Sequence, residues 1–305
     1  MPERCASGDG DTKPFMDASF SGTDQVRGAA VGGCRNGIAV PGGVYLCQVN
    51  ETVSCGACCG LYNVADASRP ALEAMLARRT ERFSRLPRRM DAILSFGEQT
   101  AAAEGQPRAY PDFHHCPYLG LIGAGHTRVG CLLHPLAEGN QGVDFRGLSE
   151  YGGMACRIYF CPATHRLPER YKAILRGVFD NWYDYGLVVT ERHLVAALFD
   201  EVERRLGRAL DPEALTRRRA HAEALSGLLA IKREWPFRHP QMGHLCHDLF
   251  QDDGNGRAPA GSGPQDFYTT VFQELESVLH SDAHVAAARE AVDRRIAAVV
   301  RALSA

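Results

Sequence analysis

The chain has 305 residues and a formal net charge of −2, enough for one large domain or two modest ones, with no overall field favouring nucleic acid or anionic lipid. Its apolar fraction of 45% suffices for a core, yet no run approaches the ~18 consecutive apolar residues of a membrane span. The opening residues, MPERCASGDGDTKP, hold no apolar stretch of the secretory kind. A reduced, cytoplasmic setting is therefore expected. There, clustered cysteines point to metal or redox chemistry rather than to a disulfide framework. Almost every basic residue is Arg; the lysines are Lys13, Lys172 and Lys232.

Residues 1–40, rich in Gly, Ser, Asp and Ala, are read as a flexible N-terminal arm. In "AVPGGVYLCQVN" (39–50) a turn is predicted at Pro41, Gly42 and Gly43, followed by a short strand-like run. "VSCGACCGLY" (53–62) then places Cys55, Cys58 and Cys59 within five positions. A helix follows, with Ser68 as N-cap, Pro70 in the first turn and Leu72, Met75, Leu76 and Phe83 at helical spacing. Pro87 should interrupt it, with a second piece running to about Ala103.

Residues 106–165 carry many Gly, Pro, Cys and His with little period, and a long segment of that kind needs another source of rigidity, such as a bound metal. From about 166 the chain reads as helical. One stripe is Tyr171, Ile174, Leu175, Val178, Phe179 and Trp182, with Gly186 near its end. A helix opens at Thr190 and Glu191, and another has Asp211 as N-cap and Pro212 in its first position. A Gly-rich loop is expected over 252–265 and two helical pieces over 266–304. The fold class is thus mainly α: 41–165 a cysteine-rich region with embedded helices, 166–305 a helical region.

Of 11 cysteines, eight lie between 47 and 161: Cys47, Cys55, Cys58, Cys59, Cys116, Cys131, Cys156 and Cys161. Eight is two fours, and four thiolates complete either a structural zinc site or one cubane iron–sulfur cluster. The count equally permits one centre with spare thiols. Glycines on both sides of "ACC" let the backbone approach an ion, and Cys116 and Cys161 are each followed by Pro. The bland alternative is that these are small buried hydrophobes, the preferred reading for Cys5, Cys34 and Cys246. His115 and His134, near Cys116 and Cys131, are the histidines best placed to join a metal. A lesser candidate combines His239, His244, His247, Cys246 and Asp248. "GLIGAGHTR" lacks the third glycine of a dinucleotide fingerprint, and no P-loop, GxSxG or HExxH occurs.

"CGACC", "CPYLG", "VGCLLHP" and "CRIYFCP" occur in this order over residues 45–165. The series resembles the CxxCxxCC proteins, described as zinc- or iron-chelating domains, and more distantly the flagellin lysine methylases, which also carry a vicinal Cys pair. The family's first Cys falls here on Thr52, with Cys47 the nearest candidate. The resemblance implies a chelated metal held by the eight cysteines between 47 and 161. Because zinc sites usually take ligands as short paired knuckles, dispersed single cysteines favour an iron–sulfur cluster, 4Fe-4S, with zinc as the alternative. The functional expectation is an iron–sulfur oxidoreductase or transferase, the alternative a zinc-binding structural or interaction protein. No nucleic-acid or membrane partner is expected.

Overall fold

The computed structural model describes residues 34–35, 38–40, 43–105, 108, 110–239, 248–249 and 266–305. The protein is mainly α, as its sequence predicts. Helices α1 (Arg69–Ser84) and α2 (Met90–Ala103) precede a hairpin of β3 (Leu119–Ile122) and β4 (Arg128–Cys131). Two short helices follow, α3 (Gly152–Ile158) and α4 (Pro162–Arg166). Then come α5 (Glu169–Val178), α6 (Trp182–Val189), α7 (Arg192–Leu206), α8 (Pro212–Arg217), α9 (Arg219–Leu229) and α10 (Ile231–Glu234). The chain closes with α11 (Phe267–Glu274) and α12 (Asp282–Ser304). Of the arm expected over 1–40, β1 (Cys34–Arg35) and β2 (Ile38–Ala39) are described, as an antiparallel pair. The loop expected over 252–265 lies outside the described residues.

One apolar core joins both halves, from Leu46 to Leu303. Its centre is α6, buried along nearly every face (Trp182, Tyr183, Tyr185, Leu187, Val188, Val189), the pattern of a helix enclosed on all sides. Asn181 caps it, its side chain accepting from the Asp184 amide at 2.9 Å. Tyrosines tie the cysteine-rich half to this helix. Tyr62 Oη donates to Tyr183 O at 3.1 Å and Tyr185 Oη to Leu46 O at 2.7 Å. Helix α12 packs on α7 and α9, α11 on α7, and β3 on α1.

The structure differs from the sequence reading at several joints. The stripe through Tyr171 and Trp182 is two helices: Phe179 is extended, and Asn181 starts α6, so Gly186 lies inside a helix rather than at its end. Both helices face one core, so the periodicity runs on across the break. The helix begun by Asp211 likewise breaks at Arg218. Instead of a strand at 44–50 there is an isolated bridge between Gln48 and Ser54. Residues 106–165 are more regular than their composition suggests, because "GLIGAGHTR" is the turn of the β3–β4 hairpin, with Gly123 and Gly125 in left-handed backbone. Thr80 of α1 fixes that hairpin, donating to Leu121 O at 3.1 Å and accepting from its amide at 2.7 Å.

In the C-terminal half, Lys232 Nζ meets Glu191 Oε2 at 2.8 Å with both side chains buried. Burial raises the Glu191 carboxyl to about 7, against the pull of Lys232. Lys232→Met should leave an uncompensated buried carboxylate and cost about 3–5 kcal/mol at pH 8. The folded pKa lies above the ordinary carboxylate value of about 4.3, so the acid is mostly protonated at pH 5 and the cost there should be smaller. Urea unfolding of both proteins at the two pH values measures this; equal losses would show that the pair contributes no charge interaction.

Candidate metal centre

The knuckle is a single turn of 3-10 helix over Ala57–Cys59, closed by Gly60 in left-handed backbone at φ 81°. A side chain there would bring its Cβ to 2.4 Å from His114 O, so both conformation and space require glycine. Close approach at Gly60 lets the Cys116 amide donate to Cys59 O at 2.9 Å. The approach is held by His115, whose Nδ1 lies 2.7 Å from Gly60 O. A carbonyl only accepts, so Nδ1 carries the proton and Nε2 accepts from Arg79 Nη2 at 2.6 Å. Burial, and then the Arg79 charge, lower His115 to about 4.

On the other side the knuckle is stitched to the hairpin. The Cys55 amide donates to Cys47 O at 2.8 Å. Gln48 Nε2 donates to Val129 O, and the Val129 amide to Ser54 Oγ, both at 2.9 Å. Cys131 ends β4, paired in register with Leu119, three residues after Cys116. Beyond it, the Phe145 amide returns to Leu133 O at 3.1 Å. Ser149 Oγ, bonded to Arg146 O, lies 3.3 Å from Cys156 Sγ.

The eight predicted cysteines are all free thiols. Cys58 and Cys59 hydrogen-bond each other, which, with burial and the nearby Cys116 and Cys131 thiols, holds Cys59 well above its usual range. Burial lifts Cys116 to about 12 and Cys131 to about 11, each also feeling Cys156. Cys116 and Cys131 thus feel each other and Cys156, and Cys59 feels Cys116 and Cys131. Cys161 is raised by burial and is within reach of Cys58. Tyr185, raised by burial, feels Cys55, Cys47 and Cys161. Cys34 has no described side chain, and Cys5 and Cys246 lie outside the described residues.

Two buried cations accompany these thiols. Arg146 is 3% exposed and reads both Asp144 oxygens, with Nε to Oδ1 at 2.8 Å and Nη2 to Oδ2 at 2.7 Å. Its Nη1 is buried and has no hydrogen-bond partner. Lys172, 1% exposed, donates to Thr164 O at 2.9 Å.

Among the described residues no three His, Cys, Asp or Glu side chains stand as a ready-made metal-binding group. Their donor type and the orphaned Arg146 Nη1 fit a thiolate centre of net negative charge; ligation requires the thiols to turn toward one another. Both nitrogens of His115 are engaged, which makes it a brace rather than a ligand. His134 Nδ1 accepts from the Leu136 amide at 3.1 Å. In the lesser histidine candidate, Asp248 accepts from the His193 amide at 3.1 Å, and His244, Cys246 and His247 lie outside the described residues. A cleft of about 610 Å³ between the α5–α6 turn and α9–α10 is lined by Phe179, Asp184, Leu187, Ala222 and Arg233, and by none of these cysteines. No helix among the described residues is long and apolar enough to cross a membrane.

The sequence reading missed Arg79, Arg146 and Lys172. Arg79 carries a legible sign, since it falls on the apolar stripe of Leu72, Met75, Leu76 and Phe83. No family model, curated protein or solved structure matches the chain.

Gly60→Ala should cost at least the ~1–2 kcal/mol of left-handed backbone and more for the clash with His114. A lowered midpoint in thermal unfolding is expected; an unchanged midpoint would mean that the knuckle and the His114–Cys116 segment do not pack this closely in solution.

Proposed function

We propose that this is a metal-binding protein whose centre is held by cysteine thiolates, an iron–sulfur cluster, most simply 4Fe-4S, serving redox or group-transfer chemistry. One observation carries the reading: Cys131 and Cys156 stand near a buried Arg146 whose Nη1 has no partner, with Cys116 and Cys59 close to Cys131 in turn. Asp144 pairs with Nε and Nη2 of this guanidinium, and thiolates on a metal would supply an acceptor for the remaining Nη1. The motif order shared with CxxCxxCC proteins supports the same reading. When bound, a cluster supplies one-electron transfer or a Lewis-acidic iron.

Activity is supported by the setting of Cys156. It lies on α3, no residue of which is buried, among exposed Tyr151, Met154, Ile158 and Tyr159. That side of the thiol set is open to a substrate or partner. The alternative, a structural zinc, is favoured by the depth of Cys116 and Cys161, both buried.

Anaerobic purification separates the two. A brown protein with bleachable visible absorption, iron and acid-labile sulfide supports the cluster; a colourless protein with stoichiometric zinc supports the alternative; neither metal refutes both. Cys131→Ser and Cys59→Ser should each lose most of the bound metal, measured by elemental analysis. Because Cys59, Cys116 and Cys131 are held above their usual range, ligation must displace protons, so affinity should rise with pH and metal should be lost as pH falls below neutral. Retention that does not change with pH would argue against thiolate ligands.

A further inference from the structure

Lysine is scarce in this chain, which holds Lys13, Lys172 and Lys232 among 34 basic residues. Lys232 is 3% exposed and lines the cleft of about 610 Å³ beside the α5–α6 turn, a size that suits a small molecule. Its ammonium donates to Glu191 Oε2 at 2.8 Å, a separation across which a carboxylate can take a proton from an amine. Glu191 is fully buried, and its amide donates to the carbonyl of the cleft-lining Val188 at 2.9 Å. Glu191 Oε1 and the adjacent Thr190 Oγ1 are buried without hydrogen-bond partners, which leaves capacity for a further polar group. The cleft is apolar along Phe179, Leu187 and Ala222. A buried lysine matched by one carboxylate becomes a neutral amine by giving that carboxylate its proton, and no net charge is left behind. The Glu191 carboxyl, raised by burial to about 7, is suited to accept a proton and return it near neutral pH.

We propose that this cleft captures a small aldehyde or ketone with an apolar body as an imine on Lys232, with Glu191 as the proton carrier. The proposal does not rest on the thiol-centre reading, since none of the cysteines lines the cleft. The ammonium first passes a proton to Glu191. The freed amine attacks the carbonyl carbon, and a proton moves from nitrogen to oxygen to give the carbinolamine. Glu191 then returns its proton to that hydroxyl, which leaves as water. The C=N bond forms as an iminium, restoring a positive charge opposite the Glu191 carboxylate. Ammonium and carbonyl have become iminium and water, with no oxidant or reductant consumed.

The test treats the full chain with hexanal and sodium cyanoborohydride and locates alkylated lysines by peptide mass spectrometry. The reagent delivers hydride to the iminium and fixes it as a secondary amine. Lys13 and Lys172 are the internal references, since neither lines the cleft among its described residues. Lys232 should be labelled about tenfold faster than Lys13, or more. Glu191→Gln should slow Lys232 by about a hundredfold and leave Lys13 unchanged. Gly227 also lines the cleft, and a side chain there would meet no atom within 4 Å. Gly227→Phe should therefore slow Lys232 alone, by occupying the cleft without displacing packed groups. Labelling of Lys232 no faster than Lys13 in the wild type overturns the proposal, whether or not any variant folds. An unchanged Lys232 rate in Gly227→Phe overturns the cleft as the route. Neither result bears on the thiol centre, which metal analysis decides separately.

Discussion

The cysteine-rich half depends on one buried guanidinium. Arg79 is 1% exposed, and its planar fork meets two different segments. Nε and Nη2 hold Glu104 after α2, Nη1 donates to Cys116 O at 3.1 Å, and Nη2 also donates to the lone pair of His115. His115 passes the constraint on to Gly60 through its other nitrogen. A single side chain of α1 thus sets where the Cys116 segment runs and, through it, where the knuckle sits. The buried charge is compensated by Glu104 and its donors are used, which is the condition under which such a group can lie in an apolar interior.

Charge compensation is also the theme of the thiol sites. A metal held by four thiolates is an anion in a medium of low polarity, and it needs cations or N–H groups around it. Arg146 is oriented by Asp144 so that one nitrogen remains unengaged, and Lys172 sits beside Cys161. Lys172 and Lys232, the lysines among the described residues, are both buried. The compact ammonium suits those places, since it concentrates charge at one point and makes few geometric demands.

The regular parts of this fold were legible because their cause is local. The apolar stripe of α1, the break near Pro87, the Asp211 cap and the two closing helices follow from periodicity and capping. The breaks at Phe179 and Arg218 were not legible, because helices on either side face one core and keep its rhythm. The hairpin was hidden by its glycines: Gly120 and Gly130 sit on β3 and β4 where Leu132 and Ile122 fill the space a side chain would need. The cysteines could be counted from the sequence, but their neighbours could not. Which thiol lies near which depends on contacts between residues far apart in the chain, such as Cys59 with Cys116. His115 shows the converse, since proximity to cysteine suggested a ligand while its partners are a carbonyl and a guanidinium.

The contacts that enclose the knuckle are remote in sequence: Tyr62 waits for Tyr183, 121 residues later, and Leu46 for Tyr185, 139 residues later. At the ~5–20 residues per second of translation, the first interval alone is on the order of 6–24 s. For the later part of it, Cys55, Cys58 and Cys59 have emerged while α6, on which Tyr62 and Leu46 anchor their segment, has not. Adjacent thiols in a nascent chain are exposed to oxidants and to any thiophilic ion nearby. Enclosure of those sulfurs therefore follows their synthesis by an interval set by the sequence distance to α6.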